Sequence, residues 1–175
     1  LYFVSNRCGI YTMVPGQAPV RISQQIEQLL SSIDTGIYTI RLIWDDRYQG
    51  LHVFVTRTAS AYAATHYFWE QRSGSWWTDV FATNAHNPLC CTVFDGNAAA
   101  DRVTLIGSSD GYVRSFLSTA ITDDGTNIAT EVWLGPFEGM QIQELQAIFS
   151  ESSGNVNWSI HSASSCERAL DASAK

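Results

Sequence analysis

Charge is what this chain has least of. Asp, Glu, Lys and Arg make up 15% of it, and its one lysine is the last residue, Lys175. A grip on nucleic-acid phosphates needs clustered Lys and Arg. Ten basic residues stand against seventeen acidic ones, for a net charge of −7, so neither general nor sequence-specific nucleic-acid binding is expected. Long hydrophobic runs are missing too. None approaches the ~18 residues that cross a bilayer, and no membrane partner is expected. Cysteine is sparse: Cys8, Cys90, Cys91 and Cys166 fit no zinc-ligand spacing, and Cys90 and Cys91, as neighbours in a strand, face opposite ways. Buried free thiols are the expectation, with a disulfide as the alternative. The four histidines, His52, His66, His86 and His161, are scattered, without an HExxH or HxH cluster. No G-x-S-x-G nucleophile elbow occurs. No catalytic residue, metal or cofactor is therefore expected.

Apolar and aromatic residues are plentiful. Hydrophobic residues reach 45% and aromatic residues 12%, which excludes disorder, and 175 residues suffice for one ordinary domain with a real core. The stretch from Arg102 to Phe116 organises the reading. Two β-rich runs flank Ser108-Ser109-Asp110-Gly111, and Gly111 is the natural place for a positive φ, so a β-hairpin is expected. Leu1 to Met13 aligns with it without gaps at an offset of 102, placing Gly9 on Gly111. A second repeat runs at an offset of 50: Ile43-Trp44-Asp45 falls on Val93-Phe94-Asp95, and Val53-Phe54-Val55 on Val103-Thr104-Leu105. Repeats of about 50 residues made of short antiparallel strands predict β-propeller blades, each a four-stranded antiparallel sheet.

In chain order, a hairpin over 1–13 precedes a break at Val14-Pro15-Gly16. A short helical insert is expected from about Gln24 to Ile33, with Ser23 as its cap and Ile26, Leu29, Leu30 and Ile33 on one buried face. Residues 37–81 and 89–134 should each form one four-stranded sheet. In the first strand Tyr38, Ile40, Leu42 and Trp44 share a face. Strands are expected again over Leu145–Phe149 and Val156–His161, with a short helix from Cys166 to Ala172. The domain reading is a propeller segment over 1–136, half a blade plus two blades in an incomplete ring, and over 137–175 an additional module, either the start of a β-sandwich-like unit or a ring-closing segment. Propellers use roughly four to eight blades. The remaining blades must then come from outside this sequence or from other chains, and a start inside a strand pattern points to a piece of a longer chain.

The paired carboxylates Asp45-Asp46 and Asp123-Asp124 fall in turns, where their side chains bond the local backbone. Calcium at Asp123-Asp124-Gly125 is the sharper alternative, but the further acidic ligand of an EF-type loop is missing. Tryptophans and tyrosines either fill the wedge between blades or form a sugar-stacking surface. Trp76 and Trp77 face opposite ways, so one of them lies outside the blade core, and the pair is the candidate aromatic surface.

Leu51–Thr56, Thr65–Trp69, Trp76-Trp77, Leu105–Arg114 and the apolar run from Ile128 to Pro136 together resemble β-propeller virion proteins of tailed bacteriophages, over nearly the whole chain. The resemblance implies a structural protein of the tail, nozzle or neck. It would be made in the host cytoplasm and held among other virion proteins in a symmetric homo-oligomer. It carries no catalytic motif. The alternative is a propeller module that binds a host receptor or surface glycan.

Overall fold

The computed structural model describes residues 1–58, 64–98, 101–116, 120, 122–128, 156–161, 164, 165 and 168. The chain divides into two compact units, Leu1–Ile128 and Ala129–Lys175. The described residues of the first are mostly β, with a short helical insert over 24–31 and a 3-10 turn at Asn84–His86. Sheet A orders β1 (Tyr2–Val4), β2 (Ile10–Thr12) and β3 (Val20–Arg21). Sheet B is a four-stranded antiparallel meander of β4 (Tyr38–Asp45), β5 (Gly50–Arg57), β6 (Ala64–Glu70) and β7 (Trp76–Asp79). In sheet C, β9 (Val103–Ser108) lies between β8 (Pro88–Phe94) and β10 (Val113–Ser115), and a separate two-stranded ribbon pairs β11 (Thr122–Asp123) with β12 (Thr126–Asn127).

Sheet B is as expected over 37–81. The second repeat has three strands and a detached ribbon among the described residues; of the fourth strand expected over 128–134, Ile128 is described and not in a strand, and the rest lies outside them. In the second unit the strand expected at Leu145–Phe149 falls on residues that are not described; of the helix expected at Cys166–Ala172 only Arg168 is described, and it is helical. Residues 156–161 are exposed and carry no strand, with Trp158 73% exposed.

Sheet B is the middle layer. On one face Leu51, Val53, Val55, Tyr67 and Trp69 pack with Cys8 and Ile10 of the first hairpin and with Ile26 and Leu30. On the other, Ile43 and Phe54 pack with Ile106, Cys91, Val93 and Phe116 of sheet C. Covered on both sides, β5 is buried from Gly50 to Thr56, the reason it lacks the apolar–polar alternation of a half-exposed strand. In β4 the expected face holds, since Tyr38, Ile40, Leu42 and Trp44 all lie against the first core.

The helical insert is shorter than its periodicity predicts: a 3-10 turn over Gln24–Ile26 runs into α1 (Glu27–Ser31). Ser23 makes no cap bond. It is fully buried, and its Oγ accepts from Ile10 N at 3.0 Å, so the hydroxyl satisfies sheet A instead. Leu29, expected inside, is 53% exposed; only the row of Ile26, Leu30 and Ile33 reaches the core.

The two hairpins behind the repeat correspond, but not at the offset of 102. In each, one residue bonds the chain three and four positions on. Ser5 N donates to Gly9 O and Cys8 N to Ser5 O, while Ser108 N donates to Tyr112 O and Gly111 N to Ser108 O. The spatial offset is therefore 108 − 5 = 103, and the left-handed residue is Gly111 (φ 84°) in one hairpin and Cys8 (φ 60°) in the other. Both are three-residue loops closed by a left-handed bulge. The expectation that Gly9 plays Gly111's part is thus corrected. Gly9 instead sits close to side chains: a Cβ there would meet Tyr11 Cε2 at 3.1 Å and Arg21 Nε at 3.2 Å, which would have to give by a few tenths of an ångström. Around Gly111 the space is open, and only its φ restricts it. Substitutions at 111 should therefore rank by tolerance of the left-handed region. Gly111→Val is expected to cost about 1–3 kcal/mol and Gly111→Asn clearly less, measured by urea unfolding. Equal losses for the two would refute a conformational origin.

Candidate functional site

The most unusual chemistry in the chain is a line of four ionisable side chains, one from each strand of sheet B. Register builds it. Asp45 ends β4, diagonal to the Ile43–His52 pair; on β5 and β6 Phe54 pairs with His66 and His52 with Phe68; His66 in turn pairs with Asp79 on β7. Diagonal neighbours on one face are close enough for long side chains to touch, so Asp45, His52, His66 and Asp79 run obliquely across the face that sheet C covers.

The two imidazoles meet directly, His52 Nδ1 to His66 Nε2 at 2.9 Å. Beyond them, His52 Nε2 points at Asp45 Oδ2 at 3.7 Å and His66 Nδ1 at Asp79 Oδ2 at 3.5 Å. Neither outer nitrogen has a hydrogen-bond partner. Both rings are buried among Phe54, Phe68, Phe81 and Phe116. Burial lowers the His52 pKa to about 4 although Asp45 opposes it. Burial, followed by the charge of His52, pushes His66 well below the usual value. At neutral pH the two neutral rings hold two protons for three gaps: one to Asp45, one between the rings, one to Asp79. With the ring–ring hydrogen bond made, one outer nitrogen therefore presents a lone pair to a carboxylate.

Asp45 is the fixed end of the line. Burial alone raises its pKa, but the hydrogen bonds and charge of Arg47 prevail and leave it below the ordinary value. Arg47 Nη2 donates to Asp45 Oδ2 at 2.9 Å, Arg47 N to Oδ1 at 2.9 Å, and Thr104 Oγ1 on sheet C to Oδ2 at 3.3 Å. The same guanidinium donates to Phe116 O at 3.2 Å. With Thr56 Oγ1 donating to Pro88 O at 2.6 Å, these bonds tie sheet B to sheet C around the histidine pair. Asp45 is thus more than a turn residue. Its neighbour Asp46 accepts from Trp44 Nε1 and pairs with Arg102.

The four histidines are scattered along the sequence. The structure brings His52 and His66 together, and the available signal was a histidine inside each of two apolar strands joined by a short connection. His86 lies elsewhere, within 3.6–3.7 Å of Asp123 and Asp124. There Arg114 takes Asp110 through both nitrogens (3.1 and 2.6 Å) and Asp124 at 2.8 Å. That grip holds the Asp110 carboxyl at a pKa of about 2. Asp123 accepts from Ala82 N at 2.6 Å. Asp124 and Gly125, both at positive φ, form the two-residue turn between β11 and β12. These carboxylates already have cationic and backbone partners, and no group of three or more His, Cys, Asp or Glu placed to hold a metal occurs among the described residues.

Of the candidate aromatic pair, Trp76 lies in the first core and donates to Ile22 O at 3.1 Å, while Trp77 is 56% exposed. Trp77 is opposite Phe68, and Phe68 meets Tyr48 edge-on at 6.4 Å. Trp44 and Trp69 pack inside against Tyr2, and Trp133 is not among the described residues. Cys8 is buried, Cys91 half-buried, and Cys90 exposed rather than buried, because it points away from sheet B; all three are free, and Cys166 lies outside the described residues.

Comparison with family models, with curated proteins and with solved structures gives no match.

Proposed function

We propose that this chain is a structural component of a bacteriophage virion, in the tail, nozzle or neck, and that its stacked sheets are propeller-type blades contacting other virion proteins or further copies of the chain. The observation that carries the reading is the stacking. Sheet B is covered on both faces, whereas the face of sheet C turned away from it exposes Phe94 by 52% and Val113 by 70%. Apolar surface on a sheet face is stabilised by a further layer, and a repeated sheet is the simplest one to supply it. Low charge and rigid sheets suit a subunit of a closed symmetric assembly, and the virion setting rests on the resemblance to phage propellers. Electron microscopy of the native particle, with the chain located by a specific antibody, tests this. A symmetric ring containing it is the expected result, and absence from purified particles would overturn the reading.

Trp77, Phe68 and Tyr48, exposed or half-exposed at the margin of sheet B, favour a second reading, a host-surface glycan stacked on their rings. Saturable quenching of tryptophan fluorescence by host polysaccharide, lost in Trp77→Ala, would support it; no quenching would reject it.

A further inference from the structure

We infer that the His52–His66 pair is an acid-sensitive latch: with both rings neutral it lets sheet C close over sheet B, and proton uptake by the pair parts the two sheets. The geometry puts the pair at the centre of the seam. Its rings touch Phe116 of sheet C and Phe81, and the bonds from Thr104 to Asp45 and from Arg47 to Phe116 O flank it. An imidazolium in this ring of phenylalanines must be compensated or reached by water.

The charged and titratable groups facing the pair offer little compensation. From β4 and its turn come Asp45 and Arg47, already bound to each other. From β7 comes Asp79, whose carboxylate is 63% exposed and screened by solvent. From β8 comes Cys91, whose thiol is kept protonated at neutral pH because burial raises its pKa to about 11. From β9 comes the hydroxyl of Thr104, spent on Asp45, and from β10 comes Arg114, spent on Asp110 and Asp124. At 3.7 Å from Asp45 and 3.5 Å from Asp79, without a hydrogen bond to either, the outer nitrogens of a charged pair gain good partners only when water enters.

The linkage has a definite sign. The folded pKa values lie below the unfolded value, so in acid the open form binds more protons than the closed one, and closure weakens as pH falls. For His52 the window runs from 6.5 down to about 4. One such histidine raises the open-to-closed ratio by about tenfold per pH unit, or about 300-fold across that window. His66 acts in the same direction. Above pH 6.5 neither contributes.

Two measurements on the whole chain test the latch. Nitrogen-15 spectra of the imidazoles should show His52 and His66 neutral at pH 6.5, and either ring charged there overturns the proposal without any variant having to fold. Cys91 lies in the seam and Cys8 in the other core, so labelling with a dithiodipyridine, assigned to single residues by fragment-ion mass spectrometry and normalised to exposed Cys90, separates local from global opening. Between pH 7 and about pH 4.5, labelling of Cys91 should rise at least tenfold while Cys8 stays protected. Equal exposure of both thiols, or of neither, overturns the proposal. In His52→Phe/His66→Phe the rise should be absent, and its persistence would be equally fatal.

Discussion

Phe54→Ala is expected to lower the unfolding free energy by about 3–5 kcal/mol, the largest single loss foreseen for this chain. Phe54 is fully buried and lies where sheets B and C meet, its ring 4.5 Å from that of His66, 5.9 Å from His52, 6.1 Å from Phe116 and 6.4 Å from Phe81. Truncation removes the transfer energy of the ring and leaves a cavity that rigid strands on both sides cannot close. Native domains have only about 5–15 kcal/mol in hand, so the variant should unfold at a much lower urea concentration, with a broad loss of the near-ultraviolet signal of the stacked rings. A loss below about 1 kcal/mol would mean that the ring is not enclosed between the sheets.

Asp45→Ala should be nearly as costly, at about 2–4 kcal/mol. Removing one partner of a buried ion pair leaves the other uncompensated, typically at about 3–5 kcal/mol; the figure here is lower because the Arg47 side chain is 33% exposed and can turn to water. Thr104 Oγ1 and Arg47 N lose their acceptor in the same step. Asp45→Asn, which keeps an acceptor and the shape, should cost distinctly less. The pH dependence has its own window. Because the folded pKa of Asp45 lies below the ordinary 3.8, its contribution is complete above that value and is lost as pH falls through the folded pKa. That is a more acidic range than the one in which the histidines act. Thermal unfolding of wild type and Asp45→Ala at a series of pH values checks this: the gap should be constant near neutrality and narrow only below about pH 4.

Much of the fold was legible because strand period and turn chemistry are local. The alternation of Tyr38, Ile40, Leu42 and Trp44 marked the core face of β4, the meander over 37–81 followed from runs bounded by turn residues, and Ser108-Ser109-Asp110-Gly111 announced both a hairpin and a left-handed glycine. The candidate site was not legible, and neither was the exact hairpin equivalence. Glycine suggested an offset of 102, but the chain places Cys8 at positive φ and so shifts the match to 103. A one-residue slip exchanges the faces of a strand, which makes it invisible to residue matching and decisive in space. Leu29 likewise fitted a helical stripe that its neighbours did not cover.

The sequence by itself determined where the strands of sheets B and C run, that the Asp110-Gly111 turn needs its glycine, that Trp76 and Trp77 face opposite ways, and that the chain carries a net charge of −7. Each depends on the backbone preferences of a few consecutive residues or on total charge. Only the tertiary structure decided that Asp45, His52, His66 and Asp79 form one line and that sheet C closes over it. Those residues are 7, 14 and 13 positions apart in turn. Their meeting depends on three strand registers at once and on which face the next sheet buries, and no local pattern carries that information.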